Sequence, residues 1–173
     1  MSKVFRLLRY DYPLFIILHL TNWLPDSIIF LRFRGFLARF FFKQAGINLR
    51  LGRNLTFYNP SKIVLGRDVY IAEGNWFSAG AEINVGDEVM FGPKSVIVSS
   101  NHKIEGGSYR FSAVELNPIL IGKGCWIAAQ CTITAGSNIG DSTLIAANTV
   151  CKGFVPRNVI YGGTPGKIIR VND

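Results

Sequence analysis

The chain has 173 residues, 49% of them apolar, and a formal net charge of +8, which allows one domain of ordinary size with a continuous core. The charge is confined: residues 1–53 hold nine Lys and Arg against Asp11 and Asp26, a net of +7, and the remainder is close to neutral. No nucleic-acid recognition motif accompanies that charge, so no nucleic-acid partner is expected, and the three cysteines form neither a disulfide framework nor a zinc motif. A metal-free protein in a reducing cytoplasm follows as the simplest reading. No cleavable signal peptide is expected, because Asp11, Pro13 and His19 interrupt the first apolar run.

Residues 1–46 read as a basic, apolar helical segment punctuated by Pro13 and Pro25. Asp26 or Ser27 can cap a second helix running to about Gln44 and ended by Gly46. No apolar stretch here reaches the roughly 20 residues that a bilayer span requires. Ile29, Phe30, Phe33, Leu37, Phe41 and Phe42 leave most of that helix apolar all round, so its surface must be covered. Two coverings stand open: packing on the following domain and a neighbouring subunit, or peripheral contact with the anionic inner face of the cytoplasmic membrane, with Arg32, Arg34 and Arg39 at the head groups. His19 reads as a packing or interface residue.

From residue 47 onward the periodicity changes. Aliphatic residues recur every six positions at Ile121, Ile127, Ile133, Ile139, Ile145 and Cys151, and a row of small residues runs beside them at Cys125, Cys131, Ser137, Thr143 and Thr149. Neither a helical nor a strand period explains this, whereas a parallel β-helix of three hexapeptides per triangular coil does. The large row extends back through Ile97, Phe91, Val85, Phe77, Ile71, Leu65, Phe57 and Leu51, and the small row through Ser95, Val89, Ala81, Asn75 and Val69. Two steps of eight residues, from Phe57 to Leu65 and from Phe77 to Val85, predict a corner lengthened by two. Between Ile97 and Ile121 the spacing is a multiple of six, so residues 99–118 are expected as one protruding loop. Asn54, Asn59, Asp68, Gly74, Gly80 and Gly92 suit the corners. Cys125 and Cys131 fill small interior slots. The β-helical domain is expected over 47–170, with 171–173 as a tail.

Four pieces in this order, the repeats, the SSNHK that opens the loop, PILIGKGCWIAAQCTITAG and the closing VPRNVIYGGTPGKIIR, resemble the hexapeptide-repeat acyltransferases. Within them the chain looks like the O-acetyltransferase branch that acts on maltose, galactosides, nodulation factors and bacterial polysaccharides. The resemblance implies an all-β, left-handed parallel β-helix, an active homotrimer with sites between adjacent subunits, and acetyl-CoA as co-substrate without a metal. It implies that His102 is the general base, taking the proton of a sugar hydroxyl as that oxygen attacks the thioester; a neutral imidazole suits the role near neutral pH. A backbone N–H near the following coil is expected to receive the oxyanion. Carried over by position, Trp126, Ala128, Ala146, Cys151, Lys152, Lys167 and Arg170 border the cofactor. Cys151 replaces the family's usual Thr, which removes a side-chain hydroxyl contact there and leaves a backbone contact open. On the acceptor side Asn75, Trp76 and Tyr109 are candidates, and Glu105, Glu115, Asp87 and Glu88 are candidates to orient His102.

The reaction expected is O-acetylation of a surface polysaccharide or its lipid-linked precursor. N-acylation of a nucleotide amino sugar and a non-catalytic scaffold or membrane-docking module are the alternatives. A zinc carbonic anhydrase, which needs three histidines, is excluded by a chain that has only His19 and His102.

Overall fold

An apolar residue at every sixth position puts an inward side chain at the same place on successive turns, and the chain winds accordingly into a triangular solenoid. The computed structural model describes residues 2–172; Asp173, the last residue of the expected tail, lies outside them. Three parallel sheets form the sides. Face 1 stacks Gln44–Ala45, Ile63–Leu65, Ile83–Val85, Ile119–Ile121, Asn138–Ile139 and Phe154–Val155. Face 2 stacks Arg50–Leu51, Tyr70–Ile71, Met90–Phe91, Trp126–Ile127, Leu144–Ile145 and Val159–Gly163, closed by the antiparallel strand Gly166–Val171. Face 3 stacks Thr56–Tyr58, Trp76–Ser78, Val96–Val98, Thr132–Ile133 and Val150–Cys151.

Registers are those the six-residue row requires. On face 2 the column Leu51, Ile71, Phe91, Ile127, Ile145 and Tyr161 is aligned rung on rung, and every member is buried. Both rows turn inward, the small one at Val69, Asn75, Val89, Ser95, Cys125, Cys131, Ser137, Thr143 and Thr149. Ala81 departs from the expectation. It lies half-buried on a lengthened corner while Ile83 fills the interior slot, because the extra two residues precede the face 1 strand. Near the N-terminal end the core is aromatic, with Phe42 on Phe57, Phe57 on Phe77 and Phe77 on Phe91 at centroid separations of 5.1, 5.1 and 5.3 Å. Corners elsewhere turn through left-handed residues such as Asn48, Asp68 and Asn148, which a short polar side chain tolerates best.

Helices cover the strand edge of the first coil. One helical run comprises Lys3–Arg6, a π-turn over Leu7–Asp11 and Tyr12–Thr21, so Pro13 does not break it. The wider π-turn directly precedes Pro13, whose ring has no N–H to give the preceding turn. The second helix, Ile28–Ala38, tightens into a 3₁₀ turn at Arg39–Phe41 and stops. It is shorter than its sequence suggests because Gln44–Ala45 is already a strand, paired with Val64–Leu65; the helical segment therefore ends just before the expected boundary at 46.

Arg34 explains how the cap is attached. In later coils the carbonyls of Ile71, Phe91 and Ile127 accept from Gly52, Ala72 and Gly92 of the preceding coil. The equivalent carbonyl of the first coil, Leu51 O, has Arg34 Nη1 at 2.6 Å instead. Arg34 also donates to Leu24 O at 2.6 Å and to Thr21 O at 3.3 Å, and it pairs with Asp26 at 2.8 Å. The expectation that Arg34 reaches head groups is thus overturned: it is fully buried. Gly35 beside it is required by close approach, since a Cβ there would fall 1.8 Å from Leu49 O.

Candidate active site

All departures from hexapeptide length before the loop occur at one corner, where face 3 passes into face 1. Tyr58 to Ile63 and Ser78 to Ile83 are lengthened there, and the third coil throws out the chain between Val98 and Ile119 at the same corner. Ser99, fully buried, anchors the exit: its Oγ donates to Ala81 O at 2.8 Å and receives Ala81 N–H at 3.0 Å, while its carbonyl accepts Asn117 N–H at 3.2 Å. The loop is an antiparallel arm, with Ser100 opposite Leu116, Asn101 opposite Glu115 and His102 opposite Val114. Its tip turns at Gly106 and Gly107, both with positive φ, between the mutually hydrogen-bonded Glu105 and Ser108.

His102 therefore stands exposed at the last paired rung of a braced ribbon. Among the described residues no hydrogen bond reaches its imidazole. Asp87 and Glu88 are removed as orienting partners, for they lie where face 1 passes into face 2. There Asp87 pairs with Arg67 at 2.7 Å and Glu88 with Lys123 at 3.4 Å. The Arg67 guanidinium hydrogen-bonded to it holds the Asp87 carboxyl below the usual carboxylate range. Tyr109 is exposed farther along the arm, beside Arg110 stacked over Phe111 at 5.5 Å.

The residues expected to border the cofactor fall into two groups. Trp126 lies outward on face 2, nearly half exposed at 47%, between Met90 and Leu144. Ala128 and Ala146 follow on the corner from face 2 to face 3, each with a second alanine after it. On two successive coils that corner opens with two alanines before Gln130 and Asn148 make the turn, so a thin chain can lie against the backbone at the alanines. Lys167 and Arg170 are exposed on the closing strand, opposite Gly162 and Ile160 of face 2. Lys152, also exposed, stands apart from these on the corner that carries the His102 arm. Within one chain, face 3 separates His102 from Trp126, Ala128 and Ala146.

Two expected site residues are corrected. Asn75 is fully buried: its amide donates to Ala72 O at 2.8 Å and Gly92 O at 2.9 Å, and its Oδ1 accepts Ser95 N–H at 3.1 Å. Its polar atoms are engaged inside the coil, which leaves it no part in binding an acceptor. Cys151 is likewise interior, and its carbonyl accepts from Thr134 Oγ1 at 2.9 Å and Ser137 Oγ at 3.2 Å. Burial pushes its thiol up to about 11, so it is not a nucleophile, and the inward side chain offers the cofactor no contact. Trp76 stays on the outer side of face 3, edge-on to Tyr58 at 5.4 Å. Ser99 is the residue the sequence did not single out; its signal is its position two residues beyond Ile97 in the inward alternation.

Two concavities among the described residues contain none of the expected site residues. One of about 510 Å³ runs along face 1 past Asn84, Leu120, Asn138 and Phe154. Another of about 510 Å³ separates the first helix from Thr56–Tyr58.

Solenoid, projecting His arm, alanine corner and basic closing strand together define a hexapeptide-repeat acyltransferase. Comparison with known proteins supports this. WcaF of Escherichia coli, which carries a provisional name as a colanic acid biosynthesis acetyltransferase, is 30% identical over 149 residues, 86% of this chain and 79% of its own. Galactoside O-acetyltransferase of Escherichia coli is 27% identical over 141 residues, 81% of this chain and 70% of its own. The hexapeptide-repeat acetyltransferase VCA0836 of Vibrio cholerae, solved with acetyl-coenzyme A, superimposes with a TM-score of 0.85 at 25% identity, covering 99% of this chain and 91% of its own. No family model matches the sequence. The chain belongs to the hexapeptide-repeat acetyltransferases, and the protein is an acyltransferase.

Proposed function

We propose that the protein transfers an acetyl group from acetyl-CoA to a hydroxyl of a surface polysaccharide or of its lipid-linked precursor, with His102 as general base. The observation that carries this reading is the exposed His102 imidazole on an arm braced at Ser99, in a chain similar along most of its length to a polysaccharide-biosynthesis acetyltransferase. His102 takes the acceptor's hydroxyl proton as that oxygen bonds to the thioester carbonyl carbon. The C–S bond then breaks, and the imidazolium returns the proton to the CoA thiolate. The two-alanine corner suits the pantetheine arm, and Lys152, Lys167 and Arg170 offer cations to the phosphates.

Separation of His102 from Trp126 and the alanine corner by face 3 supports a site shared between copies, in which one subunit supplies the base and its neighbour the cofactor corner. A homotrimer of parallel solenoids satisfies this. Tyr109 and Trp76 then belong to the acceptor side. Three unpaired cysteines support a cytoplasmic location.

Release of free CoA, followed by a thiol assay over a panel of oligosaccharides and lipid-linked repeat units, tests the reading. Acceptor-dependent release should fall by roughly 10²–10⁴ in His102→Ala with the melting temperature unchanged. Equal release by both proteins would refute the role of His102. If neither protein released CoA and acetyl-CoA did not raise the melting temperature, a non-catalytic scaffold would be the better description.

A further inference from the structure

The helical cap presents an outer surface that the core does not use. Leu14 in the first helical run, and Leu31, Gly35 and Ala38 in the second helix, are buried toward the first coil. At 100° per residue, Ile29 and Phe36, with Phe40 in the turn that follows, lie roughly opposite the buried side of the second helix, and Phe5, Phe15 and Trp23 of the first helical run and the turn after it are exposed as well. These six side chains are 55–79% exposed, and the two helices pack against each other. An apolar surface of this extent marks a site of association.

Geometry fixes its direction. Arg34 occupies the hydrogen-bonding place of a preceding coil at Leu51 O, so the cap lies across the end of the solenoid. Its outer side faces along the solenoid axis, away from the flanks against which a parallel neighbour would lie. Charge fixes the partner. Both acidic residues of the segment are engaged by cations: Asp11 pairs with Arg6 at 3.5 Å and accepts Asn59 N–H at 3.2 Å, and Asp26 pairs with Arg34 at 2.8 Å. Lys3, Arg9 and Arg32 remain exposed, and none of them has a carboxylate partner among the described residues. An apolar surface bordered by exposed cations without carboxylate partners complements acyl chains beneath anionic head groups. Among the described residues no helix is long and apolar enough to cross a membrane.

We propose that the helical cap docks the protein on an anionic phospholipid bilayer, with the solenoid standing upright on the membrane. His102 leaves the third coil. One helix diameter of about 10 Å and two coil spacings of about 4.8 Å then hold it roughly 20 Å above the docked surface. That height suits a sugar tethered to a lipid. The choice of acceptor rests on the acetyl-transfer reading above; the docking does not.

Flotation of the full chain with vesicles, without acetyl-CoA or acceptor, keeps the two apart. Vesicles of phosphatidylcholine are compared with vesicles containing roughly a third phosphatidylglycerol. The protein should float with the anionic vesicles and be released by high salt. Phe15→Ser/Ile29→Ser/Phe36→Ser should abolish flotation while keeping the melting temperature, and Arg32→Gln should lower partitioning about fivefold. Failure of the wild type to float with anionic vesicles overturns the proposal, as does flotation of the triple variant to the wild-type extent. A triple variant that changes molar mass by light scattering, with no vesicle binding by the wild type, assigns the cap to contact between copies and equally overturns it.

Discussion

Replacing Arg34 by Met tests the attachment of the cap most directly. The change keeps much of the side-chain volume and removes one buried cation with five partners: the carboxylate of Asp26 at 2.8 Å, the carbonyls of Leu51 and Leu24 at 2.6 Å, and those of Thr21 and Pro25 at 3.3 Å. Hydrogen bonds to a charged group contribute roughly 1.5–3 kcal/mol each but do not add. Asp26, at 25% side-chain exposure, can recover water, whereas Leu51 O has no coil to turn to. Breaking a buried pair from one side costs about 3–5 kcal/mol, and for a domain of this size each kcal/mol lowers the melting temperature by about 2–4 °C. A fall of about 6–20 °C is expected in thermal unfolding followed by circular dichroism at fixed protein concentration. Arg32→Met, at an exposed position, should change stability by no more than about 0.5 kcal/mol. Equal melting of the two variants would refute the argument that Arg34 substitutes for a missing coil.

Other expectations follow from single contacts. Gly35→Ala should lower the urea midpoint although alanine favours helix by about 1 kcal/mol, because the new methyl meets Leu49 O. At pH 8 Cys151 should resist alkylation in the native protein and react in denaturant, since a thiol pushed up to about 11 is ionised to only about one part in a thousand. The depressed carboxyl of Asp87 contributes stability that is complete above the ordinary carboxylate range, near pH 4, and is lost as pH falls through its lower folded value. Asp87→Ala should therefore melt below the wild type at pH 7, and the difference should close toward pH 3; a gap independent of pH would show that the carboxylate charge is not its source.

Position in the six-residue phase carried most of the fold. Ile121, Ile127 and Ile133 announce their inward direction by spacing alone, and the multiple of six across the loop places the His102 arm outside the coils. The same phase decides Asn75 and Cys151: both sit in inward rows, and their burial follows from that rather than from any likeness to a binding residue. Arg34 was not legible in this way. Its partners are carbonyls at residues 21, 24, 25 and 51, brought together only when the cap closes on the coil, and no side-chain pattern encodes a carbonyl. The end of the second helix was hidden similarly. Phe40, Phe41 and Phe42 continue an apolar run, and only the pairing of Gln44–Ala45 with Val64–Leu65 tells the chain to stop. For His102 the sequence gives the residue and its arm but not its orienting group, since no hydrogen bond within the described chain reaches the ring.

The reversal at Val159–Gly163 and Gly166–Val171 closes the parallel stack of face 2. Like rungs stacked in parallel have no natural end, because each leaves for the next the same row of donors and acceptors that it received, and a free rung is a template for fibre growth. Turning the last strand antiparallel replaces that row with a pattern of different spacing, and Lys167 and Arg170, exposed along it, repel the like end of a second molecule. With Arg34 at the first rung of the same sheet, face 2 is covered at both of its ends. There a polymerisation hazard inherent in the repeat is met by geometry and charge.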